Sequence, residues 1–261
     1  MEFFDAHCHL QDKRVLADID AIVHQWHHIG GRWLACCGTC HNDWEAVAAL
    51  SDRYCHVIPS FGIHPWFAGT ATTGWAEKLE NRLDSRQSGV GEIGLDLKAD
   101  NLDLQTLLFK KQLEMAKEKG LPVSIHVRKA WDPFIHILKR TGKLPAGGLI
   151  HSYSGSADMI PLFERHGLFI SFSGAITNPG NKKAARAIQA VSLDRILMET
   201  DTPDILPRIH GLSNSSVNKP ENLFYIARSA AATRGISTER LARLTYGNAE
   251  KLFHPVMPAP A

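Results

Sequence analysis

The sequence has no apolar run near the ~18 residues of a membrane-crossing helix, so no membrane association is expected. It opens without a basic leader and apolar core, so no secretory signal is expected either. Its 5 cysteines are odd in number and follow no framework spacing, which argues against a disulfide scaffold and suits a reducing, cytoplasmic setting. The C-x-x-C spacing of Cys37 and Cys40 lacks the second pair that a zinc knuckle needs, and reads as two small buried residues. Charge of one sign is scarce: 29 Lys and Arg offset 27 Asp and Glu, leaving a formal +2. That balance permits an anionic partner without arguing for one. No linker or shift in composition divides the chain. One domain over residues 1–254 is expected, with a Pro/Ala-rich tail at 255–261 that should fray.

What is present is an ordinary globule rich in histidine. Apolar residues make up 44% and charged residues 21%, while histidine occurs 14 times, a count that favours metal. A length of 261 residues suits a βα barrel, which takes about 250. Apolar, β-branched or glycine-punctuated stretches recur at intervals of roughly thirty residues, the size of one β–α–β repeat. They predict strands at Glu2–His7, Arg32–Cys37, Val57–Ile63, Gly89–Gly94, Pro122–Val127, Gly148–His151, Leu168–Phe172 and Arg195–Glu199. Helical patterns lie between them. In Leu16–Ile29, residues Ile19, Ile22, Val23 and Trp26 line one face. Asp103–Lys119 carries Leu107, Leu108, Leu113 and Met115 among charges and stops at Gly120, where a left-handed residue costs least. Ala157–His166, Lys182–Val191, Pro220–Arg234 and Thr238–Phe253 follow the same rule. Such alternation through short loops requires parallel pairing and right-handed crossovers. A single-domain (β/α)8 TIM barrel is the expected fold, with an open doubly wound sheet as the alternative.

In such barrels the chemistry sits at the C-terminal ends of the strands. Those ends hold His7 and His9, then His64, Glu92, His126, His151 and finally Asp201. Alternation along the first strand sends His7 and His9 to the same side. One H-x-H pair is weak evidence. Imidazoles and carboxylates converging on one mouth, however, carry a burial cost that cations offset. His7, His9, Glu92, His126, His151 and Asp201 are therefore candidate metal ligands. Six donors exceed the three protein ligands of a mononuclear catalytic zinc site and suit two cations about 3.5–4 Å apart. Glu92 is the expected bridge, with His7, His9 and Asp201 on one ion and His126 and His151 on the other.

These residues also carry a family resemblance. Asp5-x-His7-x-His9, Gly62-Ile63-His64-Pro65, Gly91-Glu92-Ile93-Gly94-Leu95-Asp96, Leu121-Pro122-Val123-x-Ile125-His126-x-Arg128, His151-x-Tyr153-Ser154-Gly155 and Glu199-Thr200-Asp201-x-Pro203 closely resemble the motifs of TatD-type metal-dependent hydrolases. Gln105-x-x-x-Phe109-x-x-Gln112-Leu113, Asn218-x-Pro220 and Gly247-Asn248-Ala249-x-x-Leu252-Phe253 extend the likeness over almost the whole chain. The resemblance implies an amidohydrolase-like TIM barrel with two divalent ions, magnesium, manganese or zinc, on the same six ligands. It also implies phosphodiester hydrolysis, with deoxyribonuclease activity in several members. The chain departs from the pattern at Leu97, where an aromatic is common, and at Trp66, Asp204 and Lys219, where His, Tyr and Glu are common. These positions shape the mouth, and Asp204 adds a negative charge beside an expected polyanion.

The expected reaction is attack of metal-activated water on a phosphoester. Asp201 is the expected proton acceptor, unless it is a ligand only. His64 is expected on a phosphate or leaving oxygen, or else bonded to backbone at the rim. Arg128 suits bidentate phosphate binding, unless it turns away into a salt bridge. Ser154 and Gly155 precede a helix whose free N–H groups suit phosphate; alternatively Ser154 or Ser156 caps it. DNA or a smaller phosphodiester is the expected substrate, with no obligate protein partner. Two rivals stay open. One is an amidohydrolase acting on C–N bonds or lactones, whose binuclear members often use a carboxylated lysine where this chain has Glu92. The other is a metal-loaded nucleic-acid-binding protein without turnover, although no basic stripe with interleaved aromatics supports it.

Overall fold

The computed structural model describes residues 1–209 and 217–258. Its centre is one parallel sheet of eight strands in chain order. These are β1 (Phe3–Cys8), β2 (Gly31–Cys37), β3 (Val57–Phe61), β4 (Gly89–Asp96), β5 (Val123–Arg128), β6 (Gly148–Ile150), β7 (Leu168–Phe172) and β8 (Ile196–Met198). The (β/α)8 barrel expected from the repeat is therefore present, and the open doubly wound sheet is not. The return from β8 to β1 is made at the mouth. Asp201 N–H donates to His7 O at 3.0 Å, and His9 N–H donates to Thr202 O at 2.7 Å. The buried Asp5 carboxylate accepts the Thr200 N–H at 2.9 Å and the Thr200 hydroxyl at 2.5 Å. The seam is thus fastened by the segments that carry His7, His9 and Asp201.

Helices cover the outside. Thr238–Phe253 has the expected bounds, and Leu102–Lys119 starts one residue early. The latter is capped by the Asn101 side chain and by Gly120 at φ 63°. Leu16–Ile29 narrows to Ile19–His28 after a short turn, Lys13–Leu16, capped by Asp12. Three further helices, Trp44–Arg53, Trp75–Asp84 and Trp131–Thr141, lie outside the stretches expected to be helical, although Trp131, Phe134, Ile135 and Leu138 line one face of the last. Trp75–Asp84 has the thinnest stripe, since it buries only Leu79 and Leu83. Ala157–His166 is not one helix. It is a 3-10 turn, Ala157–Met159, followed by the short helix Ile160–Arg165, with Pro161 in its first turn. No helix among the described residues is long and apolar enough to cross a membrane.

Inward faces of the strands stack apolar residues beneath polar ones. Leu149 lies two residues before His151 and Leu197 two before Glu199, so both pairs share a face. Leu149 and Leu197 join Phe4, Ala6, Ala35, Ile58 and Phe169 in a cluster that Leu252, Phe253 and Val256 complete. Val256 is 2% exposed, so the chain is packed past Pro255, while residues 259–261 lie outside the described residues. Simple alternation fails in β1, whose register against β2 shifts between Asp5 and Cys8. Ala6 belongs to the inner cluster, yet His7 reaches Ser124 and Glu92 across the barrel. All five cysteines are free, with Cys37 and Cys40 buried as expected.

Two glycines separate conformational need from contact. Gly94 sits at φ +148°, and a Cβ there would lie 1.9 Å from His126 O; Gly120, at φ +63°, has open space. Gly94→Ala is expected to cost about 3 kcal/mol or more, and Gly120→Ala about 1 kcal/mol, measured by urea denaturation. Equal costs would show that the contact with His126 has no weight.

Candidate metal centre

β4 delivers Glu92, 3% exposed, into the middle of the mouth. Its two oxygens face different histidines. Oε2 lies 3.2 Å from His9 Nε2 and 3.4 Å from His7 Nε2. Oε1 lies 2.8 Å from His151 Nε2, 3.0 Å from His126 Nδ1 and 3.2 Å from His64 Nε2. Asp201 Oδ1 closes the first side, 3.6 Å from His9 Nε2 and 3.7 Å from His7 Nε2. The six residues expected as ligands are brought together, and His64 joins them.

The outer partner of each ring decides which nitrogen is bare. His9 Nδ1 lies 2.7 Å from Cys37 O, which can only accept, so the neutral ring turns a lone pair inward at Nε2. His126 Nε2 faces Asp96 Oδ2 at 3.3 Å, which leaves Nδ1 bare toward Glu92. His151 Nδ1 lies 3.4 Å from Glu199 Oε1, off the line of a hydrogen bond, and Nε2 points inward. His7 Nδ1 meets the Ser124 hydroxyl at 2.7 Å, which suits either tautomer. His64 is the reverse case. Its Nδ1 accepts the Trp66 N–H at 3.1 Å, so in the neutral ring Nε2 carries hydrogen and donates to Glu92.

Burial sets His64 and His7 apart as neutral rings, whereas the neighbouring carboxylates favour protons on His9 and His151 that a cation would have to displace. Burial lowers His64 to about 4 against the pull of Glu92, so it is neutral near pH 7. Burial and the neighbouring His151 likewise lower His7. Burial works against charge on His9 as well, but hydrogen bonds with Asp201 and Glu92 hold its pKa well above the usual imidazole value. His151 is also held high, since Glu92 and Glu199 outweigh its burial. Burial would raise the carboxyls of Glu92 and Asp201, yet the surrounding imidazoles hold Glu92 well below its usual range and Asp201 at about 2.

The donor set fits divalent cations. The Nε2 atoms of His7 and His9 stand 3.1 Å apart, with Glu92 and Asp201 oxygens facing the same gap. Two carboxylates facing that gap call for positive charge, which a proton on His9 supplies in the empty site and a divalent cation would supply in its place. Imidazole with carboxylate is borderline-soft chemistry, suited to zinc and manganese and open to magnesium through its oxygens.

Several supporting residues went unassigned in the sequence reading: Asp96, Ser124, Glu199 and the carbonyl of Cys37. Asp96 and Glu199 stand in the quoted motifs, but their roles depend on strands brought together by the barrel. Asp96 is fully buried. It accepts the Trp66 indole N–H at 2.6 Å and the Lys98 N–H at 2.7 Å, while Gln105 binds its backbone. Arg128 is half-exposed, its Nη1 4.0 Å from Asp96, so it neither turns away into a tight pair nor enters the cluster. Ser154 is exposed, and neither it nor Ser156 caps a helix by side chain. The six-residue helix Ile160–Arg165 is too short and too late to give the phosphate cradle expected at Ala157–His166. Asp204 is not the bare charge expected at the mouth. Arg14 grips it at 2.9 and 3.0 Å while also bonding Asp12. Lys219 is half-buried, its N–H on the buried Asn218 side chain.

A family model described as TatD related DNase matches residues 4–254. The chain belongs to this family. It is 32% identical over 263 residues to TatD of Dickeya dadantii (strain 3937), named a 3'-5' ssDNA/RNA exonuclease, covering 97% of this chain and 98% of that one. It is 30% identical over 257 residues to YjjV of Escherichia coli (strain K12), named an uncharacterized metal-dependent hydrolase, over 97% and 98% of the two chains. The crystal structure of YjjV superposes with a TM-score of 0.91, again over 97% and 98%. The phosphotriesterase homology protein of Escherichia coli shares the fold at a TM-score of 0.69 and 15% identity, over 97% and 98%. TatD-family membership thus accounts for the order and spacing of the motifs from Asp5 to Phe253.

His64 is held in place by Gln112. The Gln112 Oε1 accepts the Ile63 N–H at 2.7 Å and its Nε2 donates to Ile63 O at 3.3 Å. Gln112→Ala would strand both buried groups, and is expected to lower stability by about 2–3 kcal/mol. A loss under about 0.5 kcal/mol by chemical denaturation would mean that water replaces the amide.

Proposed function

We propose that this TatD-family hydrolase binds two divalent cations at its mouth and cleaves phosphodiester bonds of DNA or a related phosphodiester. The observation that carries the reading is the division of Glu92, with one oxygen toward His7 and His9 and the other toward His126 and His151. Two half-sites sharing one carboxylate suit two cations better than one. His7, His9 and Asp201 would hold the first and His126 and His151 the second. The cations, magnesium, manganese or zinc, would acidify water and neutralise the phosphoryl oxygens.

The chain's own residues do the rest. Asp201 stays ionised through the neutral range, stands beside His7 and His9 with one oxygen toward them and would accept the proton of the attacking water. Glu92 is committed to the histidines by both oxygens and keeps the half-sites in register. His64, neutral, gives its one N–H to Glu92 Oε1, so it would reach a phosphate oxygen only by exchanging that partner, and it is not a charged acid. Arg128 keeps its guanidinium free for phosphate, whereas Ser154 remains a weaker candidate for contact at the rim. Nuclease names among relatives such as the Dickeya dadantii exonuclease support a nucleic acid as substrate. The amidohydrolase alternative is less well supported, because β4 offers Glu92 where a carboxylated lysine would be wanted, and Lys98 lies exposed beyond the strand. Binding without turnover is disfavoured by the complete donor set.

Asp201→Asn is expected to leave the fold intact and cut kcat by more than tenfold; retention of more than about a tenth of wild-type kcat rules out the proton-accepting role. Chelation should abolish activity, and magnesium, manganese or zinc should restore it. His7→Ala and His126→Ala should each lose one cation per chain by elemental analysis, and unchanged stoichiometry overturns the ligand assignment. A panel of single-stranded DNA, duplex DNA, a chromogenic phosphodiester, a dihydropyrimidine and a lactone tests the reaction class. Turnover of only the last two contradicts this reading.

A further inference from the structure

A cleft of about 530 Å³ opens beside the centre, and Trp66, Lys98, Asp100, Asn101 and Arg128 are among its lining residues. Trp66 is 58% exposed, whereas Trp26 and Trp44 are buried. It is nevertheless held firmly. Its Nε1–H donates to the buried Asp96 carboxylate at 2.6 Å. Its ring meets His64 edge-on, with centroids 4.9 Å apart, and lies 6.3 Å from His126 at 68°. The indole is therefore fixed at the lip of the reacting centre with much of its surface open to the cleft.

Cations flank it. Lys98 and Arg128 are exposed and share the cleft with one carboxylate, Asp100. The ends of β4 and β5 that present them are tied by the Leu97 N–H on Arg128 O at 3.0 Å. An exposed, immobilised aromatic in one cleft with two exposed cations matches the two demands of a nucleotide: a π-surface for the base and positive charge for the phosphate. A small phosphodiester has no use for the ring. A base inside a duplex already has both faces stacked, so the platform serves an unpaired one.

We propose that Trp66 stacks the base of the nucleotide adjoining the scissile phosphate, with Lys98 and Arg128 holding that nucleotide's outer phosphate. The proposal rests on the phosphodiester reading above and adds the group by which this chain distinguishes a nucleic acid strand from a smaller ester. Trp66 also supports Asp96, which faces His126, so loss of the indole lowers turnover by a second route. The test must separate the two.

The experiment compares a single-stranded oligonucleotide with the same strand carrying one abasic nucleotide next to the cleaved bond. The readout is the ratio of kcat/KM, intact over abasic, in wild type, Trp66→Ala and Trp66→Phe. Damage through Asp96 lowers both strands alike and leaves the ratio unmoved. Stacking predicts a ratio of about ten or more in wild type, a fall to about one in Trp66→Ala and an intermediate ratio in Trp66→Phe. A second readout needs no turnover: fluorescence polarisation of labelled (dA)6 in EDTA, where Trp66→Ala should raise Kd about tenfold. A wild-type ratio near one, or a ratio that survives Trp66→Ala, overturns the proposal while leaving the phosphodiester reading standing. No cleavage of any phosphodiester by the wild type removes that reading and the proposal with it.

Discussion

A single buried carboxylate sets the constraint on which the site depends. Glu92, 3% exposed, has five imidazole nitrogens within 3.4 Å. Burial of such a charge is costly unless it is compensated on every side. The compensation comes from four strands or strand ends, β1, β3, β5 and β6, so the carboxylate can sit there only if the barrel has closed around it. Four of the five histidines are hydrogen-bonded from behind, by Cys37 O, Ser124, Asp96 or the Trp66 N–H, and the Glu199 carboxylate lies 3.4 Å behind the fifth, His151. Ring orientation is thereby set before any ligand arrives, which is the condition for a catalytic constellation to act without reorganisation.

Closure and chemistry are also linked at the seam. β8 and β1 meet through Asp201 N–H on His7 O and His9 N–H on Thr202 O, with Asp5 gripping Thr200 alongside. Burial pushes the Asp5 carboxyl up to about 8 despite its hydrogen bonds from Thr200. The residues that complete the barrel are the immediate neighbours of those that carry the proposed ligands. A substitution here affects stability and cation binding together.

Much of this was legible in the sequence because barrel strands end where the chemistry begins. The six donors, from His7 to Asp201, each follow an apolar stretch that reads as a strand, and their convergence needs only the strand count. The supporting residues were harder to read. Asp96 has no meaning until β4 and β5 are adjacent, Ser124 has none until the closed barrel sets β5 opposite His7 of β1, and Glu199 binds across to the end of β6. The tautomer of His64, which distinguishes it from the other histidines, depends on a backbone N–H two residues on. Asp204 looked like an unpaired charge because its partner, Arg14, lies 190 residues away. Thin amphipathic helices such as Trp75–Asp84, with two buried leucines, gave too little periodic signal to be found. Pro161 divided what looked like one helix at Ala157–His166.

The claim that Glu92 joins two half-sites is the most direct to test by counting cations. Elemental analysis and titration calorimetry on wild type and Glu92→Gln, with circular dichroism to confirm that both are folded, measure the number bound per chain. The account predicts two in the wild type and fewer than one in Glu92→Gln, because a shared ligand is lost from both half-sites at once. One cation in the wild type, or two retained in Glu92→Gln, would contradict it.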